Sequence, residues 1–340
     1  MEVYTVGYVE YAVGELVDLL KSRGVEVVVD VRRFPRSRLP GFSSSDLEKR
    51  LGEAGIVYIW MGELGALGAR GPRAGCVDSP TFDKYIWRLY HYWPAVAQLE
   101  ELKKIAASRK TVVLCREGDW RRCHRQFIAD ALAASGAKVV HLSKRGEELH
   151  VARDCPRHSP PPLALAERVA RDFAEFCKRG SVYLFGGALE GGGDVDVVIY
   201  GVGKREELPS GYDAQFIPRV EETLFHYFVT YWGVLICGKP HVVDFKKALK
   251  REVQAAGERF RIYTNSEDSA AVCKSAKELI FTAAAVKCGD SVYTWRRASQ
   301  CLGGAPQVFK NCVDPPPAYE LKKYRHYVER LVYSLNSEIQ

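Results

Sequence analysis

Cys115–Arg125 reads Cys-Arg-Glu-Gly-Asp-Trp-Arg-Arg-Cys-His-Arg. Two thiols, an imidazole, four guanidiniums and the Glu117 carboxylate thus share eleven residues. A thiolate is both a nucleophile and a soft metal ligand, so the stretch can serve more than one chemistry. Cys115 can attack an electrophile or pair with Cys123, and Glu117 can act as general base or orient His124. A helix starting near Cys123 would lower the pKa of that thiol through its free amides and dipole, with His124 and Arg125 adding positive charge. Three readings stay open: a catalytic or redox thiol, a structural disulfide or buried pair, and a metal held by Cys115, Cys123 and His124. The last has a spacing uncommon among zinc sites.

A second group of residues is basic. Asp30–Arg38 carries Arg32, Arg36 and Arg38, and the thiol stretch adds Arg121, Arg122 and Arg125. Gathered at one rim, such arginines would repel one another unless an anion or carboxylates sat among them. We read them as an anion-binding set; the alternative is a solvated surface with scattered ion pairs. A third group is acidic. Gly186 and Gly187 precede Asp194-Val195-Asp196, and Asp213 opens a later apolar run. Strand alternation would put Asp194 and Asp196 on one face, about 7 Å apart along the chain. Carboxylates so placed can share divalent cations, while a glycine loop lets backbone amides approach phosphates. The alternative is a glycine hairpin with surface aspartates.

The elements that must position these groups follow from periodicity. Strands are expected at Val3–Val6, Val25–Val31, Ile56–Trp60, Thr111–Leu114 and Lys138–Leu142. Helices are expected at Val13–Leu20, from Ser45 to Ala54, at Phe82–Ala107 with a possible break at Pro94, and at Gln126–Ala134. Ser45-Asp46-Leu47-Glu48 has the capping-box spacing. This alternation predicts parallel α/β layering, with polar loops converging at the carboxyl ends of the strands.

After residue 150 the pattern changes. Residues 151–162 contain Pro156 and Pro160-Pro161-Pro162, which suits a stiff connector. A helix at Leu163–Cys177 then precedes strands at Ser181–Phe185, Asp194–Ile199 and Asp213–Ile217. Helices follow at Phe245–Ala256, Ala270–Val286 and Tyr319–Leu335. The expected organisation is therefore 1–150, a linker 151–162, an α+β region 163–240 and a helical subdomain 241–340.

Composition sets bounds. The 340 residues carry 49 basic and 42 acidic side chains, a net charge of +7. The excess lies mainly before Pro160 and is largely Arg, which favours anionic partners without establishing nucleic-acid binding. Ten cysteines without paired CxxC spacing argue against a zinc ribbon. Two Met, three Asn and seven Gln give a thermophile-like composition, where intracellular disulfides do occur. No signal segment is evident, and the longest mainly apolar run, Tyr227–Cys237, is too short for a bilayer span. A cytoplasmic protein without membrane association is expected; the oligomeric state is not legible.

Two resemblances extend these readings. Thr5-Val-Gly-Tyr8, Val29-Asp-Val-Arg32, Pro35-Arg-Ser-Arg38, Pro40-Gly-Phe42, Cys115-x-Glu117 and Cys123-His-Arg125 resemble domain-of-unknown-function family 488, over roughly residues 1–150. That resemblance implies a Rossmann-like parallel α/β domain with a cysteine-containing site and no settled reaction. Gly186, Gly187, Asp194, Asp196 and Asp213 are similar to the pattern of polymerase-beta-type nucleotidyltransferases. This second resemblance implies a nucleotidyltransferase-like α+β domain with a C-terminal helical subdomain. It also implies Mg²⁺ on Asp194, Asp196 and Asp213, nucleotide at Gly186 and Gly187, and Asp213 deprotonating an acceptor hydroxyl. Glu190 stands where that family often has a basic residue, so a triphosphate would meet a carboxylate unless a metal neutralised it.

The expected function is Mg-dependent nucleotidyl transfer, with the thiol and arginine region taking an anionic nucleotide or nucleic-acid ligand. The alternatives are a non-catalytic nucleotide or nucleic-acid binding protein and a cysteine-dependent enzyme acting through the first domain.

Overall fold

A computed structural model describes residues 1–153, 155, 158–202 and 208–337. The chain divides into two units, Met1–Leu163 and Ala164–Gln340. Pro156 of the expected linker lies outside the described residues.

The first unit is built on strands β1 (Glu2–Gly7), β2 (Val27–Asp30), β3 (Val57–Trp60), β4 (Thr111–Cys115), β5 (Lys138–Ser143) and β6 (Gly146–Leu149). They form one sheet in the order β3-β2-β4-β1-β5-β6. All neighbours are parallel except β6, which runs antiparallel to β5 and was not expected from sequence. The near-continuous apolar runs of β2 and β4 are buried at every residue, as strands covered on both faces must be. Helices α1 (Val13–Ser22), α2 (Ser44–Glu53), α3 (Pro80–His91), α4 (Trp93–Ser108) and α5 (Arg125–Ala134) make the connections. Leu16 and Leu20 of α1 and Leu47 and Leu51 of α2 share a core with Val28, Val112 and Leu114.

One local expectation is corrected, and the break anticipated at Pro94 is found. The cap of α2 is Ser43 rather than Ser45, and its hydroxyl accepts from the Asp46 amide. The stretch Phe82–Ala107 is two helices. Tyr92 between them is extended, and Pro94, which has no amide to donate, sits in the first turn of the second.

The second unit starts with α6 (Leu163–Asp172), shorter than expected because a 3-10 turn at Phe176–Lys178 takes over its end. Strands β7 (Ser181–Phe185), β8 (Asp196–Tyr200), β9 (Asp213–Ile217) and β10 (Val234–Cys237) form a sheet in the order β10-β7-β8-β9. The β8–β9 pair is parallel, and the other two pairs are antiparallel. Helices α7 (Leu224–Trp232), α8 (Phe245–Gln254), α9 (Ala256–Asn265), α10 (Ser269–Cys288), α11 (Trp295–Cys301), α12 (Ala318–Lys322) and α13 (Arg325–Ser337) follow. Tyr319–Leu335 is thus broken between α12 and α13, although Leu321, Val328, Leu331 and Leu335 still line one buried core. The architecture is mixed α/β, with parallel pairing in both sheets and a helical C-terminal region. No described helix is long and apolar enough to cross a membrane.

Candidate functional site

Cys115 is the last residue of β4, a strand held between β2 and β1. The chain leaves it through a tight loop that packs on β1: a Cβ added to Gly7 would lie 1.7 Å from the Glu117 carbonyl oxygen. Only glycine allows that approach. Arg125, on the first turn of α5, closes the same loop by donating to the Glu117 carbonyl and, at 2.7 Å, to the Gly118 carbonyl. A 3-10 turn at Trp120–Arg122 follows, so α5 begins at Arg125 and not near Cys123. The Cys123 amide is already used by the Trp120 carbonyl at 3.1 Å. The helix amides therefore do not act on Cys123 in the way the sequence led us to expect.

What acts on it instead is local. The ligand atoms of Cys115, Cys123 and His124 lie within 4.8 Å of one another. His124 Nδ1 is 3.7 Å from the Cys115 sulfur and 3.9 Å from the Cys123 sulfur. Its Nε2 lies 3.1 Å from the Val31 carbonyl. The ring is therefore oriented by the backbone at the end of β2. The Glu117 side chain, expected in that role, is exposed, and its backbone oxygen is the group engaged. Tyr85 of α3 packs edge-on to the imidazole at 5.4 Å and donates to the Leu64 carbonyl. Cys115 as hydrogen-bond donor holds the Cys123 thiol well below its usual range; burial opposes this, and His124 and Arg125 assist. The same hydrogen bond, with burial, holds Cys115 well above it.

Every other cysteine is paired. Disulfides join Cys76 to Cys155, Cys177 to Cys237, Cys273 to Cys312 and Cys288 to Cys301. Cys115 and Cys123 remain free thiols, so the expected option of a bridge between them is not taken. The first bridge also ties down the stretch read as a connector. Near Cys155, His158 is buried 2.8 Å from His91 Nε2 and 2.9 Å from the Ala74 carbonyl.

The arginines separate into two classes. Arg32 is buried against Asp30, with its Nε 2.9 Å from Oδ1, and it also reaches Tyr8 Oη and the Phe42 carbonyl. Burial opposes its charge, but the hydrogen bonds to Asp30 and that carboxylate's charge outweigh it and raise the Arg32 pKa. Arg125 is equally buried on the loop carbonyls, and Arg121 pairs with Glu148 while lying over Trp120. These three hold the protein to itself. Arg36, Arg38 and Arg122 are exposed, and among the described residues no ion pair engages them. Carboxylates thus relieve much of the repulsion that an anion was expected to relieve.

One cluster in this unit had no signal in the sequence. His141 Nδ1 is 2.6 Å from Thr5 Oγ1, His141 Nε2 is 2.9 Å from His150 Nδ1, and His150 Nε2 is 2.8 Å from Asp130. Trp120 stacks on His141 at 4.0 Å. Burial, then the positive charges of His150, Arg125 and Arg121, push the His141 pKa down to about 3.

In the second unit, Asp196 opens β8 directly opposite Asp213, which opens β9. Asp194 lies before β8, in the exposed turn, so strand alternation does not set its direction. Gly186 has φ +81°, and a Cβ there would meet Asp196 Oδ2 at 2.3 Å. The glycine loop is a 3-10 turn, Gly186–Glu190, laid against that carboxylate. Burial first, then Asp213 and, beyond a partial offset from Lys277, Asp194 push the Asp196 carboxyl up to about 6. Lys277 of α10 is pulled down by burial, while Asp196, Asp213 and Asp194 work to hold its proton. The three carboxylates do not draw together as closely as the thiol cluster does. Glu190 needs no metal to neutralise it: Arg297 and Arg296 pair with it, and Thr294 donates to it at 2.9 Å.

No curated protein and no solved structure matches the chain. Residues 12–132, which run from the start of α1 into α5 and include Cys115, Cys123 and His124, match the family described as Domain of unknown function DUF488.

Proposed function

We propose that the second unit is a metal-dependent nucleotidyltransferase-like module. The observation that carries this reading is the pairing of Asp196 with Asp213 across parallel strands, with the Gly186 turn lying on the Asp196 carboxylate. The residues fit a hard divalent cation. Burial first, then the like charges of Asp213 and Asp194, only partly offset by Lys277, raise the Asp196 carboxyl, and oxygen-only donors suit Mg²⁺. Asp194, Asp196 and Asp213 would hold the ion, which supplies charge neutralisation at transferring phosphates. Asp213, exposed at the strand start, would take a proton from an acceptor hydroxyl in this reading. Gly186 and Gly187 bring main chain rather than side chains to that edge, which is what close approach by a phosphate requires. Lys277, whose Nζ donates to the Lys310 carbonyl at 2.9 Å, adds a positive charge beside the carboxylates.

Calorimetry with Mg²⁺ and each nucleoside triphosphate, on the wild type and on Asp194→Ala/Asp196→Ala, tests the reading. Metal-dependent nucleotide binding by the wild type alone is the expected result. Its absence from the wild type rejects the module as a transferase.

A second reading concerns the first unit, which we take to be Rossmann-like. The exposure of Arg36, Arg38 and Arg122 without ion-pair partners among the described residues favours an anionic ligand there, with nucleotide or nucleic acid the fitting class. Such binding would weaken steeply with salt through counterion release, and Arg36→Ala/Arg38→Ala would flatten that dependence. Salt-independent affinity would remove this reading.

A further inference from the structure

We propose that Cys115, Cys123 and His124 form a three-ligand site for a zinc-class divalent cation, with the fourth coordination position left to water or a substrate atom. This goes beyond the transferase reading and does not depend on it.

The spacing of the donor atoms carries the argument. Around a tetrahedral ion with metal–sulfur bonds of about 2.3 Å and metal–nitrogen bonds of about 2.0–2.1 Å, a sulfur and a nitrogen ligand stand about 3.6 Å apart. His124 Nδ1 lies 3.7 Å and 3.9 Å from the two sulfurs. Those separations are long for hydrogen bonds but close to the edges of a coordination tetrahedron. All three donor atoms also lie within 4.8 Å of one another.

The imidazole is prepared for that role. Its Nε2, 3.1 Å from the Val31 carbonyl, is the N–H donor, since a carbonyl only accepts. Nδ1 then carries the lone pair; it is the nitrogen nearer the Cys115 sulfur, 3.7 Å against 4.0 Å for Nε2, and lies 3.9 Å from the Cys123 sulfur. A metal-ligating histidine usually donates its other ring nitrogen to a carbonyl or carboxylate, which fixes the tautomer and the ring's orientation. The carbonyl is itself fixed, because the Val31 amide donates to the Leu114 carbonyl at 3.1 Å, one residue before Cys115. Tyr85 steadies the ring from α3. Two rigid strands thus set one sulfur and the ring nitrogen in register.

The thiols are also set apart from their fellows. Eight cysteines are closed into four disulfides, yet these two, 4% and 2% exposed and within reach of each other, stay reduced. Among the described residues no fourth cysteine, histidine or carboxylate joins the cluster. Three protein ligands and an open place are the pattern of reactive zinc sites; structural sites have four.

The test uses Co²⁺ as a spectroscopic substitute, added to the full chain with its four disulfides intact. We expect one equivalent bound with thiolate-to-cobalt charge-transfer absorption and the intense visible bands of tetrahedral Co²⁺, and displacement of both by Zn²⁺. Cys115→Ser and Cys123→Ser should each lose the charge-transfer band or leave it weakened, and His124→Gln should weaken binding. Co²⁺ held by the aspartates of the second unit gives no sulfur charge transfer, so the two sites are distinguished. Absorption that survives Cys115→Ser/Cys123→Ser, or a wild type without it, would overturn the proposal. Should the serine variants fail to fold, mass spectrometry of wild-type alkylation decides. Zn²⁺ must protect both Cys115 and Cys123, and equal labelling with and without Zn²⁺ rejects the site.

Discussion

The two units build acceptor-rich clusters by opposite means. At the end of β4, soft donors are buried and oriented by main chain: Val31 holds His124, and Arg125 clamps the loop between the thiols. At the start of β8 and β9, hard donors stand at a sheet edge, two of them exposed, and they are brought together only by strand register. The first cluster satisfies itself with protein groups, so a cation there would replace weak sulfur–nitrogen contacts. The second leaves like charges facing one another, a cost that an added cation removes. The soft, enclosed cluster and the hard, open one should therefore be separable by experiment.

The strongest way to break that contrast is through Asp196. If the carboxylates carry transfer chemistry, Asp196→Asn should lower the rate of nucleotide incorporation by at least about 10³-fold, several kcal/mol of transition-state stabilisation. The sulfur–cobalt absorption of the first unit should stay unchanged. Loss of both signals together in a folded protein would show that the sites are not independent.

The next largest effect separates arginines that support from arginines that bind. Removing Arg32 leaves the buried Asp30 carboxylate with only the Tyr58 hydroxyl at 2.7 Å and the amide of residue 32. Breaking such a buried pair costs about 3–5 kcal/mol. Arg32→Met should accordingly show a large fall in denaturation midpoint. Arg36→Ala, on an exposed side chain without an ion pair among the described residues, should change the unfolding free energy by less than about 0.5 kcal/mol. Equal effects would dissolve the two classes.

How much of this was readable beforehand depends on whether a partner was a side chain or backbone, near or far. The strand positions were legible because β2, β4, β7 and β9 are short apolar or alternating runs bounded by charge or glycine. The residues of both clusters were legible as types at a spacing. Their orientation was not. His124 is held by the backbone oxygen of Val31, which no residue identity announces, and Glu117 looked the better partner by chemistry alone. Long-range partners were equally hidden. Lys277 lies on α10, far along the chain from the aspartates it offsets, and the four disulfides span 13 to 79 residues. The helix break beside Tyr92 was signalled by Pro94, but the one after α12 was obscured by an apolar stripe that continues across it, since a stripe records which face is buried and not whether the axis bends.

Gly186→Ala gives a smaller effect and sharpens the comparison from the other side. At φ +81° an L-residue is strained by about 1–2 kcal/mol, and the new methyl group would sit against Asp196 Oδ2. We expect a modest fall in stability, read by thermal unfolding, together with weakened Mg²⁺ binding read by calorimetry. Unchanged metal binding in this variant would mean that the turn does not set the carboxylate's position.

The smallest effect concerns acid, and here the first unit shows a weakness that its enclosed site implies. His141, held between Thr5 and His150 beneath Trp120, has its pKa pushed from an ordinary 6.5 down to about 3 by burial and by the positive charges around it. The unfolded chain binds a proton at this residue as pH falls below 6.5, whereas the folded one does not until near 3. Stability is therefore whole above 6.5 and is lost progressively as pH drops through that window. Between pH 7.5 and 5.5 the loss from this one group is about 1 kcal/mol. Hydrogen exchange at β1 and β5 amides, measured across that range, should show falling protection in the wild type and a shallower slope in His141→Gln. If the slope is the same in both, the acid sensitivity of these strands comes from another group, and His141 is not the point at which acid opens the strands flanking the thiol cluster.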